Sequence, residues 1–239
     1  MSTLSGGPNV VVDGLVLWLD AANPKSYVSG STTWNDISRS GLNGTLTNGP
    51  TFNSANGGSI VFDGTNDYVL VNSGSTSVSP TTAITVASYF NISSYGANFA
   101  PLIFKQNNYS SFYEQYSLYL GNTAIGFAIT GVDRSQKIAM STADYRNQFV
   151  QAVGTCDVNT NELKLYINGI LTQTTSFTST FDIADTPINI GGTGVLKFGA
   201  TFTGFANGKI YSTQVYNKAL SAQEVLQNYN SLKSRFGLT

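Results

Sequence analysis

The chain has 239 residues, 41% of them hydrophobic and only 10% charged, so it can bury a sizeable core and is not a disordered segment. Its formal net charge is −1 and it has no basic run. That excludes the clustered Lys and Arg a nucleic-acid or anionic-membrane binder needs. With no His and a single Cys, it has no Ser-His-Asp or Cys-His catalysis, no His-ligated zinc and no intrachain disulfide.

Residues 1–7 show neither a basic nor an apolar segment of the secretory type, and no apolar run reaches the roughly 18 residues of a membrane span. Synthesis and folding in a cytoplasm are the expectation, so the sequons at Asn43, Asn91 and Asn108 carry little weight. Leu15–Leu19 reads as a short buried strand. Residues 20–58 are rich in Gly, Asn, Ser and Thr and read as long loop with at most one short strand. Ser59–Phe62 is a strand, Asp63-Gly64-Thr65-Asn66-Asp67 is turn chemistry, and Tyr68–Val71 resumes the sheet.

Further strands follow over Ala83–Ile92, Leu102–Phe104, Ser117–Leu120, Ile125–Ile129, Ile138–Met140 and Phe149–Cys156, a spacing that fits a sandwich or barrel. Leu163–Leu171 is a hairpin around Asn168-Gly169, a pair suited to a type I′ turn because both positions need positive φ. Ile188–Ile190 and Lys209–Tyr216 complete the strands. Ser221 and Glu224 form a capping box, and Val225, Leu226, Tyr229 and Leu232 recur at helical spacing. A helix over about 221–234 is expected. The organisation read from this pattern is an N-terminal arm, 1–12, and one domain, 13–239. Within it Leu165, Ile167, Val86, Phe62 and Trp18 should be substantially buried.

Three stretches carry a family likeness. One is Gly14–Ala21 followed by Ser59–Val69. Another is Phe149–Gly169, ending in Leu165-Tyr166-Ile167-Asn168-Gly169. The last is Gly208–Tyr211 through Val215–Ser221 and its helix. In their order they resemble the laminin-G-like/concanavalin A-like lectin and glucanase superfamily, specifically the jelly-roll domains of bacteriophage virion proteins and bacterial surface proteins. The resemblance implies an all-β, two-sheet antiparallel jelly-roll sandwich with one short C-terminal helix. The family's usual Trp near residues 87–90 is replaced by Tyr89, and a second is replaced near Phe149.

Glucanases of this fold place carboxylates at alternate positions of one strand. Here the only Glu residues are Glu114, Glu162 and Glu224, with no Glu-x-Asp-x-Glu, so no catalytic residue and no enzyme activity are assigned. Gly191-Gly192-Thr193-Gly194 lacks the Lys of a phosphate loop and reads as loop. No cofactor is implied.

Asp63, Asn66 and Asp67 have Ca²⁺-type oxygens, but an Asx-rich turn is the simpler reading, so no metal site is assigned. Asp133, Asp144, Asp182 and Asp185 are scattered loop acids. Cys156 reads as a small core residue. Tyr95, Phe99, Tyr109, Phe112, Tyr113, Tyr116 and Tyr119 could stack sugars. Core packing, or an interface to a partner chain, is the preferred reading.

The function expected from the whole is a non-enzymatic structural or interaction protein, a bacteriophage virion component such as a head decoration or tail/fibre-associated subunit, made in the host cytoplasm. Its expected partners are other virion proteins and its own copies as a homo-oligomer, with no nucleic acid and no membrane. The alternative is a glycan-binding lectin domain of an adhesin, with carbohydrate as partner.

Overall fold

The computed structural model describes residues 9–71, 78–95, 99–107, 114–121, 124–181, 184–194 and 204–236. Short β-prone runs separated by turn residues set the architecture; successive side chains of a strand point to opposite faces, and central strands such as Ala100–Gln106 and Val150–Asp157 are buried on both. In chain order the first strands are β1 (Leu15–Asp20), β2 (Thr33–Trp34), β3 (Gly44–Thr47), β4 (Thr51–Asn53), β5 (Ser59–Asp63), β6 (Tyr68–Val71), β7 (Ala83–Tyr95) and β8 (Ala100–Gln106). Then come β9 (Glu114–Gly121), β10 (Ala124–Thr130), β11 (Gln136–Met140), β12 (Val150–Asp157), β13 (Glu162–Ile167), β14 (Ile170–Ser176), β15 (Ile188–Ile190) and β16 (Ala206–Tyr216).

They form two eight-stranded sheets. The first runs β14-β13-β12-β7-β16-β5-β4, with β1 also paired to β16; the second runs β11-β10-β9-β8-β15-β6-β3-β2. Every pairing among the described strands is antiparallel. The expected all-β antiparallel jelly-roll sandwich with one short C-terminal helix is what the structure shows. A register shift between Ile210 and Ser212 lets β16 pair with β5 along Asn207–Ile210 and with β1 along Ser212–Tyr216. Such bulges bend a strand and raise its twist.

The core lies between the sheets. Ile84, Val86, Phe90 and Ile92 of β7 and Leu163, Leu165 and Ile167 of β13 meet Tyr116, Leu118 and Leu120 of β9 and Ile125, Phe127 and Ile129 of β10. Each such side chain contributes roughly 1.5–3 kcal/mol on burial. Phe62 belongs to the same core. Asn168 (φ 51°) and Gly169 (φ 79°) both adopt positive φ, as the predicted hairpin turn requires.

The outer face of the first sheet is covered too. Helix α1 (Ala222–Leu232) is capped by Ser221, with the reciprocal Glu224 bond of a capping box. Its buried residues are Val225, Asn228 and Leu232. Asn228 Oδ1 accepts the Val11 amide at 2.8 Å, and its Nδ2 donates to the Tyr216 hydroxyl at 2.9 Å. This ties the segment at residues 9–12 to the helix. Tyr89 and Phe149 also lie in this layer. The Tyr89 hydroxyl donates to the Asn228 carbonyl at 2.8 Å, and Phe149 stacks on Phe236 at 3.9 Å between ring centroids.

Four expectations are corrected. Residues 20–58 hold three short strands, β2, β3 and β4, because Trp34 is fully buried and Leu46 and Phe52 pack against the core. Trp18 is only half-buried, because it lies on the outer face with its indole N–H donating to Ser212 Oγ at 3.2 Å. The α-helix ends at Leu232 and tightens into a 3₁₀ turn over Lys233–Phe236. Leu226 is 44% exposed, since polar Asn228 takes the buried position.

Candidate functional site

Asp63 closes β5 and Asp67 precedes β6. Asp63 Oδ1 accepts the amides of Thr65 at 2.8 Å and Asn66 at 3.4 Å, while Asp67 Oδ2 accepts the Asp63 amide at 3.1 Å. The Thr65 amide leads the contacts that hold the Asp63 carboxyl below its ordinary range; burial pushes that of Asp67 up. These oxygens face backbone donors, which is the work of an Asx turn.

The carboxylates weighed for catalysis are each engaged locally. Glu114, buried at the start of β9, accepts Gln136 Nε2 at 3.0 Å and Ser117 Oγ at 3.3 Å. Glu162 pairs with Lys164 at 2.6 Å, and Glu224 bonds Ser221 and Lys218. Asp144 pairs with Arg146 and Asp133 bonds Ser135, each two residues along. Asp185 lies beside Lys105, and Asp182 falls outside the described residues. Cys156 is buried in β12 and burial pushes its thiol well up, so it is a core residue. Gly191 has φ 76°, and a β-carbon there would lie 2.2 Å from the Phe62 ring, so this Gly is required by packing.

Of the aromatic stretch, Tyr116 is core, with its hydroxyl donating to the Val78 carbonyl at 3.0 Å. Phe99 is buried and packs edge-on to Tyr119 at 5.8 Å. Tyr119 lies over Gly126, where a β-carbon would fall 2.4 Å from its ring. These three rings pack within the protein. Tyr109, Phe112 and Tyr113 fall outside the described residues, as does the side chain of Tyr95.

The surface offers a different aromatic. Val12, Leu15, Trp18, Ile37, Ser38 and Arg39 line a groove of about 310 Å³. Trp18 comes from β1, on the outer face of the first sheet, and packs against the Val10, Tyr89, Tyr211 and Leu232 cluster. The opposite wall is a loop built on Asp36. Its Oδ1 accepts the amides of Trp18 and Ser38, both at 2.9 Å; its Oδ2 accepts Ser38 Oγ at 2.8 Å and the Leu42 amide at 3.0 Å. The Ile37 amide returns a bond to the Trp18 carbonyl at 2.9 Å. One carboxylate therefore fixes the loop to the strand and sets Arg39, exposed, at the groove.

Two other grooves differ in chemistry. One, at Thr155, Asp157, Glu162, Lys164 and Tyr166, holds a Lys and a Glu already paired to each other. Another, at Tyr27, Thr32, Leu46 and Phe52, has no charged side chain in its lining. Sequence reasoning missed the Trp18 groove. Trp18 read as core, and Arg39 is one cation in a polar loop. The usable signal was Asp36-Ile37-Ser38, a turn motif in which a carboxylate orders the backbone on its C-terminal side.

A family model for the concanavalin A-like lectin/glucanases superfamily matches residues 63–226. The chain belongs to this superfamily. No curated protein matches its sequence. Among solved structures it is similar to the receptor binding domain of the botulinum neurotoxin C/D mosaic serotype. The two are 18% identical with a TM-score of 0.66, over 92% of this chain and 51% of that one. It is similar to the binding domain of Paraclostridial Mosquitocidal Protein 1, 15% identical with a TM-score of 0.66, over 92% and 52% of the two chains. It is also similar to the botulinum neurotoxin serotype D ligand binding domain solved with N-acetylneuraminic acid, 18% identical with a TM-score of 0.64, over 92% and 51%. This superfamily member thus spans about half the length of those binding domains, and the likeness is one of fold. The virion type within the superfamily, expected from the sequence, has no counterpart among these neighbours.

Proposed function

We propose that this chain is a non-catalytic, lectin-like recognition module that binds carbohydrate. The observation that carries the reading is the Trp18 groove, where a half-buried indole borders a polar loop tip. Flat rings stack on the C–H faces of sugars, and polar groups at the rim take the hydroxyls. Engagement of Glu114, Glu162 and Glu224 in separate local bonds supports a binding role over a hydrolytic one, since glycosidases need two carboxyls flanking one bond. The serotype D neighbour solved with N-acetylneuraminic acid adds support from the fold. A glycan array with the purified chain tests this: retention of a defined glycan is expected. Retention of none would overturn the reading, and release of reducing sugar from β-glucans would overturn its non-catalytic part.

A second reading, a subunit of a virus particle, is favoured by β14. This strand, Ile-Leu-Thr-Gln-Thr-Thr-Ser, ends the first sheet, has no charged side chain and exposes Ile170 (70%) and Leu171 (48%). An uncharged exposed edge can pair with a strand of another subunit. Mass spectrometry of purified particles is its test: presence in stoichiometric amount supports it. Absence from particles, with abundance in the host lysate, overturns it.

A further inference from the structure

We infer that the Trp18 groove is selective for acidic sugars, with Arg39 pairing the carboxylate while Trp18 stacks against the ring. The inference rests on the carbohydrate reading and names its ligand class. Arg39 is exposed, lines the groove and has no ion pair or hydrogen bond among the described residues. An unpaired guanidinium offers a planar fork of donors that fits a carboxylate with two parallel bonds.

The neighbouring carboxylates do not compete for it. Asp36 has four donors on its two oxygens, from Trp18, Ser38 and Leu42. Asp13 pairs with Lys218 at 2.7 Å. The remaining lining is Val12, Leu15 and Ile37, apolar walls that suit the C–H edges of a pyranose better than a second charge, and Ser38, whose hydroxyl donates to Asp36. The loop backbone is also pre-formed: the Asp36 bonds hold the segment carrying Arg39 against β1 before a ligand arrives, which lowers the ordering cost of binding. The chemistry is shared by sialic acids and by uronic acids.

The chain has two Trp, and Trp34 is fully buried in the core. A change in tryptophan emission on ligand addition therefore reports on Trp18. Sialyllactose and a hyaluronan tetrasaccharide are titrated into the full chain, with lactose and carboxyl-reduced hyaluronan as neutral counterparts. The expected result is that an acidic glycan perturbs Trp18 emission and binds at least about tenfold tighter than its neutral counterpart. Which acid wins separates the two sources. Arg39→Gln, on an exposed loop tip, should fold normally and abolish that preference; Arg39→Lys should restore part of it. Binding of glycans without an emission change, or a preference that survives Arg39→Gln, overturns this inference and leaves the carbohydrate reading standing. Retention of no glycan on the array overturns that reading and the inference with it.

Discussion

Arg235 clasps Asp20 with two nitrogens, at 2.8 and 2.9 Å, joining the C-terminal 3₁₀ turn to the end of β1 across 215 positions of sequence. The Asp20 side chain is 3% exposed and that of Arg235 is 24% exposed. Asp20 also accepts the Ala22 amide at 3.0 Å. Removing Arg235 strands a buried carboxylate, which costs more than the pair itself is worth. Arg235→Ala should lower stability by about 2–3 kcal/mol in denaturant unfolding. The double variant with Asp20→Asn should recover part of that loss, because no unpaired charge remains. Equal loss in the single and double variants would show that Phe236 packing, not the ion pair, carries the effect.

Gly154 faces Phe127 across the core. A β-carbon at Gly154 would lie 2.1 Å from Cγ of Phe127, and the ring is fully buried. Gly154→Ala should cost about 3 kcal/mol through overpacking. Phe127→Leu introduced beside it should relieve part of the clash, measurable as a positive coupling in a double-mutant cycle.

Glu114 is a buried acid whose pKa is pushed up by burial, against hydrogen bonds from Ser117 and Gln136. The folded state then holds its proton at pH values where the unfolded chain has released it. Stability from this group is full below about 4.3, the unfolded value, and is lost as pH rises through the folded pKa. Glu114→Gln keeps the acceptor for Gln136 and removes the charge. Its melting temperature at pH 7 should exceed that of the parent by about 2–4 °C, and the difference should close towards pH 4.

Lys105 titrates in the opposite sense. It is fully buried on β8, its ammonium donates to the Thr186 carbonyl, and burial lowers its pKa to about 8, opposed by Asp185. The unfolded chain keeps this proton to about 10.4. Unfolding thus takes up a proton between these values, so stability should rise with pH from about 8 towards 10. Lys105→Met should flatten that rise in melting curves; an unchanged slope would assign it to another group.

Much of the fold was legible along the chain. Tyr68–Val71 and Ile188–Ile190 coincide with β6 and β15, and Asn168-Gly169 makes the turn it encodes. These depend on neighbours in sequence: period-two burial, positive φ and the Ser221–Glu224 cap are local physics. Strands β2 to β4 were less legible, since each is two to four residues long and is held by its partners rather than by its own pattern.

The candidate site was decided only by tertiary structure. The sequence alone determined that no His-based chemistry exists, that Cys156 has no disulfide partner in the chain, and that the spaced strands build a sandwich or barrel, the family resemblance implying the sandwich. It could not say which face of β1 the indole of Trp18 would take, because both faces of the first sheet are covered, one by the second sheet and the other by α1. A hydrophobic residue satisfies the same alternation on either side. The bulge in β16, the bonds of Asp36 and the partial cover of the outer layer together leave Trp18 at a groove with Arg39 beside it. That juxtaposition joins residues 21 positions apart through a side chain bonded to a distant backbone, and no periodicity in the sequence encodes such a bond.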